Sequence, residues 1–178
     1  MTQIARHVAA AVAALALTTL VAGCSSEQTA VADTPDVATP TAAALPASDF
    51  VEEGAGHSFA TPSQRIQCRA VDHSFACQTE DSHTVATNDL CGFYPGIEQG
   101  RAVRFGFFND RPEPCATIVQ GDGFHSPHTL SYGQSVSFQI PEGRTVTCAS
   151  AVEGLTCTQA GGLGAGGFFL SRDSFRVL

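Results

Sequence analysis

Lysine and a stripe of basic residues are what this sequence most clearly lacks. The 178 residues contain nine arginines, no lysine and 17 acidic residues, for a formal net charge of −8. Residues 25–53 alone contain six Asp and Glu residues and no basic residue. Nucleic-acid binding depends on clustered positive side chains that displace counterions from phosphates. The sequence therefore predicts no nucleic-acid partner.

An apolar run of transmembrane length is also missing at the N-terminus. The run over residues 8–20 follows Arg6 and would span only about 20 Å as a helix. A membrane-spanning helix needs about 20 consecutive apolar residues. A short apolar run between a positive charge and small residues is typical of an export signal. We therefore predict a signal peptide at residues 1–23.

Residues 21–24, Val-Ala-Gly-Cys, resemble the lipobox of bacterial lipoproteins. The resemblance implies cleavage before Cys24 and attachment of diacylglycerol to its thiol. Two or more acyl chains hold a protein at a membrane, whereas a single chain gives only marginal binding. The resemblance thus implies an exported protein that a lipid at Cys24 anchors to the outer face of the cell membrane. The alternative is an ordinary secretory signal that happens to contain a cysteine.

The segment that follows, residues 24–49, is expected to form a disordered tether. Ala, Thr, Pro, Ser and Asp dominate it, and large apolar residues are scarce. Such a segment cannot bury enough apolar surface to offset the entropy lost on ordering. We accordingly place a single folded domain at residues 50–178.

Six cysteines remain in this domain, and an even number outside the cytosol predicts a disulfide framework. They are Cys68, Cys77, Cys91, Cys115, Cys148 and Cys157. A zinc site is a weaker interpretation because the spacings lack the short step typical of zinc ligands. No other metal or cofactor is predicted.

The spacing of the cysteines selects one pairing. Eight residues separate Cys68 from Cys77, and eight separate Cys148 from Cys157. The residue two positions before each of these cysteines is apolar: Ile66, Phe75, Val146 and Leu155. A period of two places each cysteine and its apolar neighbour on one face of a strand. We predict two hairpins bridged by these pairs, with turns at Asp72-His73 and Glu153-Gly154, and a Cys91–Cys115 bond by elimination.

The two hairpins also resemble one another as an internal repeat. Phe-Ala-Thr-Pro at 59–62 precedes the first, and Phe-Gln-Ile-Pro at 138–141 precedes the second. Further runs of period two occur at 101–108, 136–140 and 167–170, and no window past Phe50 has convincing helical spacing. The predicted fold class is all-β: a single small sandwich or barrel-like domain with three local disulfides and a possible hairpin repeat.

Four motifs in the domain resemble a family of exported actinobacterial domains. They are Thr-Pro-Ser-Gln-Arg-Ile-Gln-Cys (61–68), Leu-Ser-Tyr-Gly (130–133), Gly-Leu-Thr-Cys-Thr (154–158) and Gly-Phe-Phe-Leu-Ser-Arg (167–172). The likeness covers residues 59–178 and implies a lipoprotein or secreted domain with paired cysteines, without implying an activity. The chain departs from the family pattern at Gln64-Arg65, at Thr158 and at Gly166.

Polar residues at 121–128 form the best local cluster of reactive side chains. Asp122, His125 and His128 are types that ligate divalent metals, and Ser126 next to a histidine could be a nucleophile. The Gly- and Pro-rich context favours an exposed loop instead. Gly162-x-Gly-x-x-Gly167 matches a dinucleotide-binding pattern, but the following Phe-Phe-Leu-Ser favours a strand where that pattern requires a helix.

Arginines beside the Phe-rich run at 101–108 are the second candidate. Arg101 and Arg104 could bind an anionic ligand through guanidinium–carboxylate or guanidinium–phosphate pairing, and the alternative is a solvated charged face. Together with Asp122, His125 and His128, these two arginines are the predicted possible ligand-binding residues. No catalytic residue is predicted.

Three functions fit this sequence. The leading hypothesis is a non-catalytic binding or envelope-accessory domain, with an envelope protein or an anionic ligand as possible partner. The alternative is a small extracytoplasmic hydrolase acting on cell-wall or lipid material, which a concave pocket with convergent polar groups would favour. An exposed apolar patch would instead favour docking to another envelope protein.

Overall fold

A computed structural model describes residues 41–54, 56–92, 98–108, 111–117, 122–162 and 164–178. The predicted signal peptide, Cys24 and the tether up to residue 40 lie outside the described residues. The described part is all-β and contains no α-helix, only 3-10 turns at Ala47–Phe50 and Thr87–Asp89. None of its helical segments has the length and hydropathy needed to cross a membrane.

Two sheets of six strands each make up the described domain. Sheet 1 contains β2 (Val51–Glu52), β3 (Gly56–Ala60), β4 (Ile66–Val71), β5 (Ser74–Ala86), β6 (Gln99–Phe107) and β7 (Cys115–Thr117), adjacent in that order. Sheet 2 contains β1 (Ala43–Leu45), β8 (Gln134–Ile140), β9 (Arg144–Ala151), β10 (Gly154–Ala160), β11 (Gly166–Leu170) and β12 (Phe175–Val177), also in that order. The sheets pack face to face as a sandwich, and the described strands do not close into a barrel.

The core between the sheets is built from the alternating apolar side chains of both. Phe59 of sheet 1 and Phe138 of sheet 2 are fully buried, with ring centroids 6.0 Å apart. Phe107 and Phe168 make a second contact across the sheets at 5.6 Å. Because alternate residues of a strand point to opposite faces, the period of two in the sequence places these rings inside.

All three predicted disulfides are present. Cys68 lies directly opposite Cys77 in the β4–β5 ladder, and Cys148 lies directly opposite Cys157 in the β9–β10 ladder. The third bond joins Cys91 to Cys115 at the start of β7. Each hairpin thus carries its bridge on the buried face, as the apolar residues two positions before the cysteines predict.

The predicted repeat is confirmed and extends beyond the hairpins. The strands β3–β7 and β8–β12 are two antiparallel five-stranded meanders, each with its disulfide between the second and third strand. Phe105 lies opposite Cys77, and Phe168 lies opposite Cys157 in the same way. The first strands differ in register, because Phe59 lies opposite Cys68 whereas Phe138 lies opposite Val146.

Two local expectations differ from the structure. The predicted second turn at Glu153-Gly154 is shifted by one residue: Ala151 pairs with Gly154, so Val152 and Glu153 form the turn. The segment assigned to the tether also contains β1, which pairs in parallel with β8 through residues 43–45. Two of its three residues are alanines, and backbone hydrogen bonds hold this edge strand, such as that from the Ala43 amide to the Gly133 carbonyl at 2.8 Å, while Leu45 packs against the core.

Candidate ligand-binding site

A cavity of about 410 Å³ lies where one end of sheet 1 meets the β9–β10 turn and the segment after β11 of sheet 2. Its charged lining residues and its histidine come from both sheets. They are Arg65, Glu80, Asp81, His83, Glu153, Arg172 and Asp173. A concave site with a few convergent polar groups is the usual form of a small-molecule site.

An irregularity in β5 creates the sheet 1 wall of this cavity. The pairing of β5 with β6 is regular up to Gln78 and resumes at His83, with a shift between them. Glu80 and Asp81 lie in the interruption and are exposed, whereas His83 is directed back into the protein and is buried. Bulges of this kind re-aim side chains and are frequent beside functional sites.

The charged side chains of the cavity pair with one another. Arg65 lies 3.9 Å from Glu80 and 3.7 Å from Asp81, and Arg172 lies 4.0 Å from Asp173. All of these side chains are more than 40% exposed. Because exposed ion pairs contribute little to stability, a ligand can exchange partners with them at low cost.

His83 is one of three buried polar residues in the cavity wall, with Thr61 and Thr79. Its residue surface is 6% exposed, and its ring meets Phe105 edge-on at 5.1 Å. Its Nε2 atom is buried and has no hydrogen-bond partner among the described residues. Desolvation by burial lowers the pKa of His83, and the nearby Asp173 and Asp81 offset part of that effect. Burial therefore favours the neutral form of the imidazole.

Hydroxyl groups complete the polar lining and are bonded locally. Ser171 and Ser174 hydroxyls lie 3.0 Å apart, and those of Thr61 and Ser63 lie 3.1 Å apart. Among the described residues, Nε2 of His83 bonds none of these hydroxyls. Apolar contact at the rim comes from Tyr132 and Val152, two of the most exposed large apolar side chains described.

The structure places Arg104 and Asp122 together, but away from the cavity. The Arg104 guanidinium donates a hydrogen bond to the Asp122 carbonyl oxygen at 2.6 Å and stacks over the Phe124 ring at 4.3 Å. Arg69 approaches the same ring at 5.4 Å. Burial, and secondarily the charge of Arg69, lower the pKa of Arg104, which still leaves the group charged. These contacts fix a loop to the sheet.

That loop, residues 122–130, runs across the outer face of sheet 1 and is held by side chains of the sheet. The Phe124 amide donates to Gln78 Oε1 at 3.3 Å, and the Ser126 amide donates to Gln67 Oε1 at 3.0 Å. The Ser126 hydroxyl lies 2.9 Å from that of Ser58. The polar cluster recognised in the sequence is thus fastened to the polar outer face of the sheet.

The remaining predicted ligand-binding residues do not converge. His128 Nε2 lies 3.1 Å from the Val51 carbonyl oxygen, His125 is exposed, and Arg101 donates from Nε to the Ser82 hydroxyl at 3.0 Å. Within the described ranges, no three His, Cys, Asp or Glu side chains are grouped so as to hold a metal ion. The strand that follows the glycines at 162–167 is present as β11, as the sequence predicts.

The cavity residues themselves were not singled out by the sequence. They are separated by up to 112 positions, from Thr61 to Asp173, and only the sandwich brings them together. One signal was present: the polar run Gln-Thr-Glu-Asp-Ser-His at 78–83 interrupts the alternation that follows Cys77. Such an interruption inside a strand indicates a bulge.

Comparison of the chain with protein-family models, with curated proteins and with solved structures finds no match in any of the three.

Proposed function

We propose that this chain is an exported lipoprotein, held at the outer face of the cell membrane through Cys24, whose β domain binds a ligand without transforming it. The resemblance of residues 21–24 to a lipobox supports the anchor. The three disulfides support a location outside the cytosol, where such bonds persist.

The cavity between the two sheets is the observation that carries the binding function. It is concave and polar, which by itself is compatible with binding and with catalysis. Binding is favoured because the charged groups engage one another and His83 Nε2 engages no hydroxyl. These exposed ion pairs contribute little to stability, so their charged groups can exchange partners with a ligand.

A hydrolase remains the second candidate because carboxylates of both sheets line the same cavity. Asp81 comes from β5 and Glu153 from the β9–β10 turn. Two carboxyl groups on either side of a substrate can act as general acid and base. Material from the cell wall or from lipids is the substrate class that fits an anchored exterior domain.

Membrane fractionation of the Cys24→Ala variant tests the anchor. The variant should leave the membrane fraction, because acylation needs the thiol, whereas a Ser25→Ala control should stay with the wild type. Continued sedimentation of Cys24→Ala with membranes would refute the anchor while leaving the binding domain untouched.

Recovery of bound material tests binding against hydrolysis. The detergent-solubilised protein is mixed with wall-derived glycopeptides and, separately, with phospholipid vesicles, and bound and free material is compared by mass spectrometry. Binding predicts retained material of unchanged mass that is lost on filling the cavity by Ser63→Trp, but kept in the exposed control Ser137→Trp. Cleavage products whose summed mass exceeds that of the starting material by one water molecule would favour the hydrolase.

A further inference from the structure

The repeat gives the sandwich two corresponding ends, and the group bound at the end opposite the cavity indicates what the cavity accepts. Alignment of the two disulfides by register makes the β4–β5 turn, Asp72-His73, correspond to the β9–β10 turn, Val152-Glu153. The same alignment makes Thr79 of β5 correspond to Gln159 of β10. The cavity thus has a counterpart at the opposite end of the domain.

At that opposite end, a guanidinium group fills the counterpart of the cavity. Arg144 is fully buried and donates to the carbonyl oxygens of His73 at 2.5 Å and Pro141 at 3.4 Å. It also donates to Gln159 Oε1 at 3.4 Å. Backbone carbonyls of two turns and a side-chain amide therefore surround a planar cation there.

At the cavity end, no arginine occupies the corresponding position. The register alignment makes Arg144 correspond to Gln64, whose side-chain amide donates to the Thr61 carbonyl oxygen at 3.5 Å and to the Thr129 hydroxyl at 3.3 Å. The arginine next to it, Arg65, does not fill the place either. Arg65 pairs with Glu80 and Asp81 at the surface and is 44% exposed on its side chain, whereas Arg144 is buried. The residues that correspond to the Arg144 partners Gln159 and His73 are Thr79 and Glu153, and both line the 410 Å³ cavity.

The charge of the lining fits a cation. The cavity lining contains more negative than positive groups. The two guanidinium groups belong to Arg65 and Arg172, and the four carboxylates belong to Glu80, Asp81, Glu153 and Asp173. His83 adds a buried ring nitrogen, Nε2, whose hydrogen-bonding capacity is unused among the described residues. A buried polar atom of this kind is normally paired, so Nε2 of His83 represents a bond that the described residues leave unmade in the cavity wall.

Building on the proposed binding function, we propose that the cavity accepts a ligand that carries a guanidinium or primary ammonium group, as a free small molecule or as a peptide side chain. The cation takes the place that Arg144 fills in the other half of the repeat. Asp81 and Asp173 supply the countercharge, since charge-assisted hydrogen bonds are the strong ones.

An amide-resolved NMR titration of the detergent-solubilised protein tests this assignment. The probes are agmatine, end-blocked Gly-Arg-Gly, the same tripeptide with citrulline for arginine, and inorganic phosphate. Agmatine and the arginine peptide should shift the amides of Thr79 and Gly154, which lie in the cavity lining, and leave that of Ser126 unchanged. A preference for agmatine indicates a free small molecule, and a preference for the peptide indicates a protein side chain.

Charge variants provide the matched control. The double variant Asp81→Asn with Asp173→Asn should weaken binding of the cationic probes at least tenfold. The double variant Asp49→Asn with Glu98→Gln removes the same charge at exposed positions outside the cavity and should leave binding unchanged.

The outcomes separate this proposal from the binding function itself. Equal shifts with the citrulline peptide, or shifts with phosphate alone, would overturn the cationic ligand and leave a binding cavity in place. If no probe shifts the cavity amides, the proposal of a cationic ligand is also wrong. The recovery of bound wall or lipid material would then test the binding function separately.

Discussion

The guanidinium of Arg144 in sheet 2 donates a 2.5 Å hydrogen bond to the backbone carbonyl of His73, 71 residues earlier in the turn of sheet 1. Arg144 is fully buried, and the same group also reaches Pro141 and Gln159. Burial of a charge is costly unless hydrogen bonds replace its hydration. This side chain therefore ties the two halves of the repeat together and depends on both for its own solvation.

Replacing Arg144 by methionine should lower the free energy of unfolding by about 2–4 kcal/mol, because hydrogen bonds to a charged donor contribute roughly 1.5–3 kcal/mol each. Arg144→Lys keeps one charged donor and should recover part of the loss. Urea unfolding followed by circular dichroism measures both. The exposed Arg101→Met serves as control and should stay within about 0.5 kcal/mol of wild type. Equal stability of Arg144→Met and wild type would refute the role of Arg144 as a tie.

The disulfides should differ in their contribution according to the loop that each one closes. Removing Cys148 and Cys157 together, as alanines, should cost about 2–3 kcal/mol, because a short loop restricts the unfolded chain least. Removing Cys91 and Cys115 should cost about 3–4 kcal/mol because that loop is longer. Denaturant unfolding compares the two, and non-reducing peptide mapping should recover only the three local pairs. A peptide that links Cys68 to Cys148 would contradict the repeat.

The ring of Phe124 should hold the loop at 122–130 in place, whereas the side chain of His125 should contribute little. Phe124→Ala removes the ring that Arg104 and Arg69 approach, which should cost about 1–2 kcal/mol, since each cation–π contact is worth roughly 0.5–1 kcal/mol. Amide hydrogen exchange at Ser126, whose amide donates to Gln67, should accelerate severalfold. His125→Ala, an exposed change one residue along, is the control. Unchanged exchange in Phe124→Ala would show that the ring does not hold the loop.

The disulfides and the strand faces could be predicted because their signal is local. The spacing from Cys68 to Cys77 and the apolar residue at Ile66 are enough to place both cysteines opposite one another on the inner face of a hairpin. The cavity could not be predicted, since Arg65 and Asp173 meet only through the packing of one sheet on the other. The strand β1 was not predicted for a different reason: backbone pairing with β8 holds it, and Leu45 is the one large apolar side chain of its three residues.

The burial of His83 should make stability depend on pH in a definite direction. Its pKa in the folded protein is lowered from 6.5, mainly by desolvation, while Asp173 and Asp81 oppose part of the shift. As pH falls below about 6.5, the unfolded chain takes up a proton that folded His83 resists, so the unfolded state binds more protons and the free energy of unfolding falls. The loss stops below the folded pKa, where both states are protonated.

Urea unfolding of the wild type and of His83→Gln between about pH 8 and about pH 5 isolates this contribution. The variant should lose less stability than the wild type over this range, because glutamine takes up no proton in either state. Arg172, which lines the same cavity with Asp81 and Asp173, is retained in both proteins, so the surrounding charges are matched. The exposed His125→Gln should follow the wild type. If His83→Gln instead loses stability with pH as steeply as the wild type, His83 does not supply the pH dependence, and burial does not hold its proton affinity down.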